Sequence, residues 1–286
     1  MYVQFQEQYL RYKNTSEEFD KVCLERFKTK KVKKVFIPTE QEPLYLKYLD
    51  EALGELQSAA APVAARAELA QETLRQEADN VEKTLESEEA YESSKSRIHK
   101  VVDFMLAEPT ALAGMLASAG LAVDDSAHGS TVSSLCLALG SHSQKLSKEE
   151  LSDLAVAGLL HDMALAELGF DGRTVLADLP KEKKADFRRH PQVAVERVAG
   201  KKFITPRVLR ILEDHEEYGD GLGFPNKKRY AKLNPDSQIF NLCDAFDHFC
   251  LIAGKLPIDC LDAFVEARGD HFDLELLEIL EKQIRR

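Results

Sequence analysis

From about residue 98 to its end the chain repeats one pattern: apolar residues at helical spacing, interrupted by short loops rich in Gly, Pro, Asn and Asp. The segments RIHKVVDFMLAEP, TVSSLCLALGSH, KEELSDLAVAGLLHDM, VAVERVAG, TPRVLRILEDHEE, SQIFNLCDAFDHFCLIAG and FDLELLEILEKQIRR all carry it. Helices of this kind can bury their apolar stripes only against one another. Residues 98–286 are therefore expected to form an all-α bundle, with loops at 169–172, 219–225 and 234–236.

The first 54 residues read as a small α+β module, which makes the whole chain mainly α. YVQF, QYLRYK and VKKVFIP are candidate strands, Ser16 with Glu17 and Glu18 looks like a helix start, and a second helix should follow Pro43. Residues 55–97 are rich in Ala, Glu, Gln and Leu, with Leu69, Leu74, Val81 and Leu85 at roughly helical spacing. That segment is either a helical linker packed as an added layer or a dimer helix, which leaves a homodimer open.

A net charge of −11 argues against binding to a nucleic acid polymer, whose affinity would rest on phosphate neutralisation. No apolar run reaches membrane-spanning length and the start lacks the apolar core of a signal peptide, so a cytoplasmic protein without a membrane partner is expected. The five cysteines, Cys23, Cys136, Cys243, Cys250 and Cys260, form no CxxC pair and are expected as reduced, buried thiols.

Within the bundle, GLLHDMALAELG sets His161 and Asp162 inside an apolar segment and holds no Lys or Arg. A buried His with a hydrogen-bonded Asp is common, but this pair has company. Asp124 and His128 lie upstream, four residues apart. Downstream come His190, the run His215-Glu216-Glu217, and Asp244 within NLCDAFD. Imidazole and carboxylate are ligands for iron, manganese or zinc, and a carboxylate can bridge two ions. His99, His142, His248 and His271 lack such neighbours and read as surface or core histidines.

The ordered series His128, His161-Asp162, His190-Pro191, His215-Glu216-Glu217, the loop Asp220-Gly221-Leu222-Gly223-Phe224-Pro225 and Asp244 resembles the HD-GYP family. That family is a branch of the HD metal-dependent phosphohydrolases associated with bacterial cyclic-di-GMP phosphodiesterases. The resemblance covers about residues 98–255, and the α+β module also resembles one often found before such domains. It implies an HD-type bundle with two divalent transition metal ions, iron favoured and manganese or zinc as alternatives. His128, His161, Asp162 and Asp244 would hold one ion. Asp162 would bridge to a second, held also by His190, His215 and Glu216, so that Asp162 and His161 carry the catalysis. Asp124 stands where members with a third metal keep a Glu one carbon longer, and Glu217 could serve as a third-metal or supporting group. Asp220, Gly221, Gly223, Phe224 and Pro225 would form a substrate loop.

The departures from the family pattern fall on the substrate side. Ala164 and Leu165 stand at the family's Gly and Lys, and Phe224 stands at the Tyr of GYP. The family's His-His-Glu motif aligns without a gap on His215-Glu216-Glu217, or with an extra residue on Asp214-His215-Glu216; in either register a carboxylate replaces a His. Losing one charge-stabilising group costs on the order of 10²–10³ in rate. Lys184, Arg188, Lys201 and Lys228 are candidate phosphate contacts in compensation. Three readings follow: a divergent phosphodiesterase acting on a cyclic dinucleotide or related phosphodiester, a metal-bound but catalytically weak signalling protein with protein partners, or a helical domain with fortuitous histidines.

Overall fold

A computed structural model describes residues 1–5, 8–14, 20–30, 32, 35–54, 56, 61–120, 125–143 and 146–286. It divides into two compact units, Met1–Ala52 and Leu53–Arg286.

In the first unit, β1 (Tyr2–Phe5) and β2 (Gln8–Arg11) pair antiparallel, Tyr2 opposite Arg11 and Phe5 opposite Gln8. The third expected strand, VKKVFIP, is reduced in the described residues to one bridge. Phe36 exchanges backbone hydrogen bonds of 2.7 and 2.8 Å with Tyr2, and its ring packs edge-on against Tyr9. Helix α1 (Lys21–Thr29) follows; the helix start expected at Ser16 lies outside the described residues. Helix α2 (Glu42–Gly54) begins beside Pro43, as the fixed φ of proline favours in a first turn.

The second unit is helical throughout its regular structure: α3 (Val63–Asp79), α4 (Val81–Thr84), α5 (Glu88–Ala107), α6 (Ala111–Ala119), α7 (Asp125–Ser143), α8 (Lys148–Leu160), α9 (Lys181–Phe187), α10 (His190–Val198), α11 (Pro206–Asp214), α12 (Pro235–Ala253), α13 (Pro257–Arg268) and α14 (Leu274–Ile284). None is long and apolar enough to cross a membrane. The segment expected as either an added layer or a dimer helix packs inside this unit. Ala67, Ala70 and Leu74 of α3 are buried against α6 and α7, and a buried Arg97–Glu77 ion pair ties α5 to α3. All five cysteines are buried and free.

Helix α7 is the centre of the bundle, packed by α3, α8, α12 and α14. Every residue from Ala127 to Gly140 is buried, so α7 is surrounded on all sides and not only along the single apolar stripe expected of TVSSLCLALGSH. Its buried hydroxyls are paired, as burial demands. Ser130 and Thr131 donate to Ala127 O, Ser133 to Gly129 O and Ala155 O, and Ser134 to Gln71 of α3 and Ser130 O.

The contact of α7 with α8 rests on two glycines. A Cβ on Gly129 would sit 2.9 Å from Gly158 O, and one on Gly158 would overlap the Ser133 hydroxyl and lie 2.9 Å from the Ser133 backbone nitrogen. The absent side chains let the backbones approach closely enough for His128 on α7 to reach His161 at the end of α8. Gly158→Ala is expected to cost about 1–3 kcal/mol of stability through overpacking against backbone that cannot turn aside. Chemical denaturation of the variant measures it; an unchanged midpoint would show that the helices are not held at this separation.

Candidate metal centre

Three of the histidines emerge where a helix stops. Helix α8 ends at Leu160 with His161 as its cap, and Asp162 lies in the turn beyond, so the pair sits at a helix end and not inside the helical segment expected of KEELSDLAVAGLLHDM. A side-chain hydrogen bond accompanies the break. His161 Nδ1 donates to Gly158 O at 2.9 Å, taking the carbonyl that the Asp162 N–H would use if the helix continued. The following backbone bonds tighten to Met163 N to Leu160 O and Leu165 N to Asp162 O.

The same device recurs twice. His190 Nδ1 donates to Phe187 O at 2.8 Å, at the end of α9, where Pro191 has no N–H to offer. His215 Nδ1 donates to Leu212 O at 2.8 Å, at the end of α11. Carbonyls of a last helical turn lack intrahelical partners, and each imidazole supplies one. Because a carbonyl can only accept, each Nδ1 carries the proton and each neutral ring presents a bare lone pair at Nε2. His128 is set the same way by Asp247 of α12, whose Oδ2 lies 2.7 Å from its Nδ1.

The four Nε2 atoms converge in two pairs, His128 with His161 at 3.2 Å and His190 with His215 at 2.7 Å. Asp162 stands between the pairs. Its Oδ2 is 3.4 Å from His161 Nε2 and 3.8 Å from His128 Nε2, and its Oδ1 is 3.7 Å from His190 Nε2 and 3.9 Å from His215 Nε2. Asp244, on α12, places Oδ1 3.1 and 3.5 Å from His128 and His161 Nε2. Glu216 turns Oε1 towards His190 Nε2 at 3.7 Å. Donor atoms of His128, His161 and Asp244 form one group within 4.8 Å of each other, and those of Asp162, His190 and His215 form a second.

Burial works against charge on all of these groups, and their neighbours decide the outcome. Burial lowers His128, but its hydrogen bonds to Asp244 and Asp247 outweigh it and hold the imidazolium up to about 10. For His161 burial is outweighed by the charges of Asp162 and Asp244, so it too is raised. At His190 burial prevails and lowers it, and at His215 burial and the His190 charge push it down to about 3. Asp162 and Asp244 are held well below the usual carboxylate range despite burial, chiefly by His161. Glu216 is pushed up to about 8 by burial and by the Asp244 and Asp162 charges.

The donor set fits a metal. His190 and His215 are both kept neutral, so two lone pairs point at each other across 2.7 Å with no proton between them. Such an arrangement is repulsive until a cation accepts both, and imidazole with carboxylate suits iron, manganese or zinc. The carbonyl and Asp247 contacts behind the rings are of the kind that orient metal-bound histidines.

A cleft of about 350 Å³ opens over this cluster. Leu165 and Phe224, two of the departures from the family pattern, meet there: with Phe187 they form one buried apolar cluster on its lining. Lys184 and Arg188 also line it, Lys184 donating to Ala177 O at 2.8 Å. The other two lysines expected at phosphate have other partners. Lys201 donates to Leu85 O, and Lys228 pairs with Asp214 at 2.5 Å.

Of the expected substrate loop, Phe224 lines the cleft, while Asp220, Gly221, Gly223 and Pro225 shape the turn behind it. Asp220 caps Leu222 N and pairs with His271 at 2.5 Å, and Gly221 takes φ 83°. Gly223 lies so close to the Glu216 and Glu217 backbone that no Cβ fits. Glu217 turns away from the cluster and accepts the backbone N–H groups of Asn226 and Lys228, fastening the loop. Asp124 lies outside the described residues.

Sequence reasoning missed Asp247, His248, Tyr218 and Arg268. Asp247 and His248 follow Asp244 by about one helical turn and Tyr218 follows Glu216 by two residues, spacings that could have revealed them, whereas Arg268 reaches the cleft from α13, whose proximity only the fold establishes.

Metal uptake should expel protons, because Glu216 must ionise and the Nε2 atoms of His128 and His161 must be bare. Affinity for a divalent ion is therefore expected to climb as pH rises through about 8 and to weaken on acidification. Calorimetric titration in buffers of different ionisation enthalpy measures both quantities; uptake without proton release between pH 6 and 9 would contradict the assigned protonation states.

The HD domain family matches residues 105–276, more than half of the chain. A curated relative, the cyclic di-GMP phosphodiesterase response regulator RpfG of Xanthomonas campestris pv. campestris (strain 8004), is 29% identical over 104 residues. That match covers 36% of this chain and spans only 27% of the relative's own length. Among solved structures, Bd1817, a HDG"Y"P protein from Bdellovibrio bacteriovorus, superposes with a TM-score of 0.80 over 100% of this chain and 94% of its own, at 23% identity. The chain thus belongs to the HD domain family, and it shares the fold of Bd1817.

Proposed function

We propose that the protein is a metal-dependent phosphodiesterase that hydrolyses cyclic-di-GMP or a related cyclic dinucleotide at a binuclear centre. The observation that carries this reading is the pair of bare Nε2 atoms of His190 and His215 at 2.7 Å, beneath a cleft that also exposes Asp162 and Asp244. His128, His161 and Asp244 would hold one ion and His190, His215 and Glu216 the other, with Asp162 offering one oxygen to each. Iron is favoured, with manganese or zinc as alternatives. The gapless register of the His215-Glu216-Glu217 motif is supported by the direction of the two carboxylates, since Glu216 faces the cluster and Glu217 the loop.

Two bound divalent ions would supply Lewis acidity to a phosphate group and lower the pKa of water. The chain's own residues bind, orient and exclude water. Lys184 and Arg188 put positive charge on the cleft lining, suited to a phosphodiester. Leu165, Phe187 and Phe224 offer an apolar wall to the flat face of a base and keep bulk water from that side. The curated relative's name, a cyclic di-GMP phosphodiesterase, supports the substrate class over the region it shares with this chain.

The same apolar wall favours a second reading, a metal-loaded receptor that binds the dinucleotide without hydrolysing it, because neither Leu165 nor Phe224 can contact a phosphate with charge or a hydroxyl. Turnover of cyclic-di-GMP by metal-replete protein separates the two. Hydrolysis supports the enzyme, and binding without product supports the receptor. Asp162→Ala is expected to lose both ions by elemental analysis and all turnover with them. Retention of two ions in that variant would end the bridging assignment, and purified protein free of transition metal would end both readings.

A further inference from the structure

The cleft lining holds a third cation, Arg268, at the last position of α13. Between Arg268 and the histidine cluster stands Tyr218. Its hydroxyl lies 3.4 Å from Glu216 Oε2, Arg268 lines the same cleft with its positive charge acting on that hydroxyl, and the other Glu216 oxygen faces His190 Nε2 at 3.7 Å. His190, Glu216, Tyr218 and Arg268 thus form a file running outward from the cluster, with the last three on the cleft lining.

Tyr218 is held in place from both of its ends. Its carbonyl accepts the Gly221 N–H at 2.9 Å, and its amide lies against Gly223, where no side chain fits. Its ring packs against those of His271 and Phe272, with centroids 5.6 and 6.4 Å away. A ring fixed in this way has already lost the freedom that binding would otherwise remove. Its hydroxyl is not committed to a strong partner, since 3.4 Å is long for an O–H to carboxylate bond. A phosphate oxygen entering the cleft would make the better acceptor. Arg268 is largely exposed, and its planar fork is the side chain best matched to phosphate.

We propose that Tyr218 and Arg268 form a phosphate-contact pair, whose hydroxyl and guanidinium supply from another part of the lining what Leu165 and Phe224 lack. The proposal rests on the phosphodiester reading for the identity of the ligand and on the geometry of the cleft for the residues.

The test is calorimetric titration of inorganic phosphate into metal-replete full-length protein, alongside Tyr218→Phe and Arg268→Gln, with the metal content of each preparation and its cyclic-di-GMP turnover measured in parallel. Each variant is expected to bind phosphate about tenfold more weakly, the scale of one hydrogen bond to a charged group, while keeping wild-type metal content. Arg268→Lys should recover part of the loss by restoring charge without the fork. Wild-type affinity in both variants overturns the pair, as does wild-type protein that binds no phosphate. Metal loss accompanying the affinity loss in Tyr218→Phe also overturns it, by reducing Tyr218 to a support for Glu216. If phosphate binding depends on both residues but no cyclic dinucleotide is turned over, the pair stands and the hydrolase reading fails.

Discussion

Four imidazoles made to face each other in a dry interior are what the helical unit has to accommodate. Each ring has its Nδ1 committed, three to helix-terminal carbonyls and one to Asp247, so every Nε2 must point inward. Lone pairs of neutral rings at 2.7 Å and carboxylates largely withdrawn from solvent are costly unless opposite charge compensates them. The fold supports that cost by fixing positions beforehand. Helices α8, α9 and α11 end where their histidines begin, and the small-residue contact between Gly129 and Gly158 brings α7 to the first of them. Helix α12 contributes Asp244 to the cluster and, one turn later, Asp247 behind it.

Much of this was legible in the sequence, for a physical reason: helical periodicity is local, and His and Asp are rare enough in apolar segments to stand out. The order His128, His161-Asp162, His190, His215-Glu216, Asp244 brought together the residues that the structure clusters. What was not legible depended on side-chain direction or on partners distant in sequence. Nothing local tells that α8 stops at Leu160 with the His161 ring on the Gly158 carbonyl, since the helical periodicity of KEELSDLAVAGLLHDM runs on through the pair. Lys201 and Lys228 looked like Lys184 as positive charges, yet of the three Lys184 lines the cleft, while the others bond the Leu85 carbonyl and the Asp214 carboxylate away from it. Tyr218 and Arg268, fifty residues apart, become neighbours only when α13 packs beside the loop. In the first unit, VKKVFIP has strand composition but pairs with Tyr2 at Phe36 alone among the described residues, because strand propensity does not supply a partner.

Two of the departures from the family pattern form one structural feature. Leu165 and Phe224 pack with Phe187, so a lysine at 165 would have to bury its charge or push this cluster apart. The replacement of a histidine by Glu216 belongs to the same picture, since a carboxylate there faces His190 with one oxygen and the Tyr218 hydroxyl with the other. The clustered imidazole and carboxylate groups thus lie beside a cleft wall that is apolar at Leu165, Phe187 and Phe224.

The central claim is that the facing histidine pairs enclose metal ions, and anomalous diffraction from metal-loaded crystals tests it most directly. The account predicts two anomalous peaks, one among His128, His161 and Asp244 and one among His190, His215 and Glu216, with Asp162 touching both. A single peak, or none between His190 and His215, would contradict it.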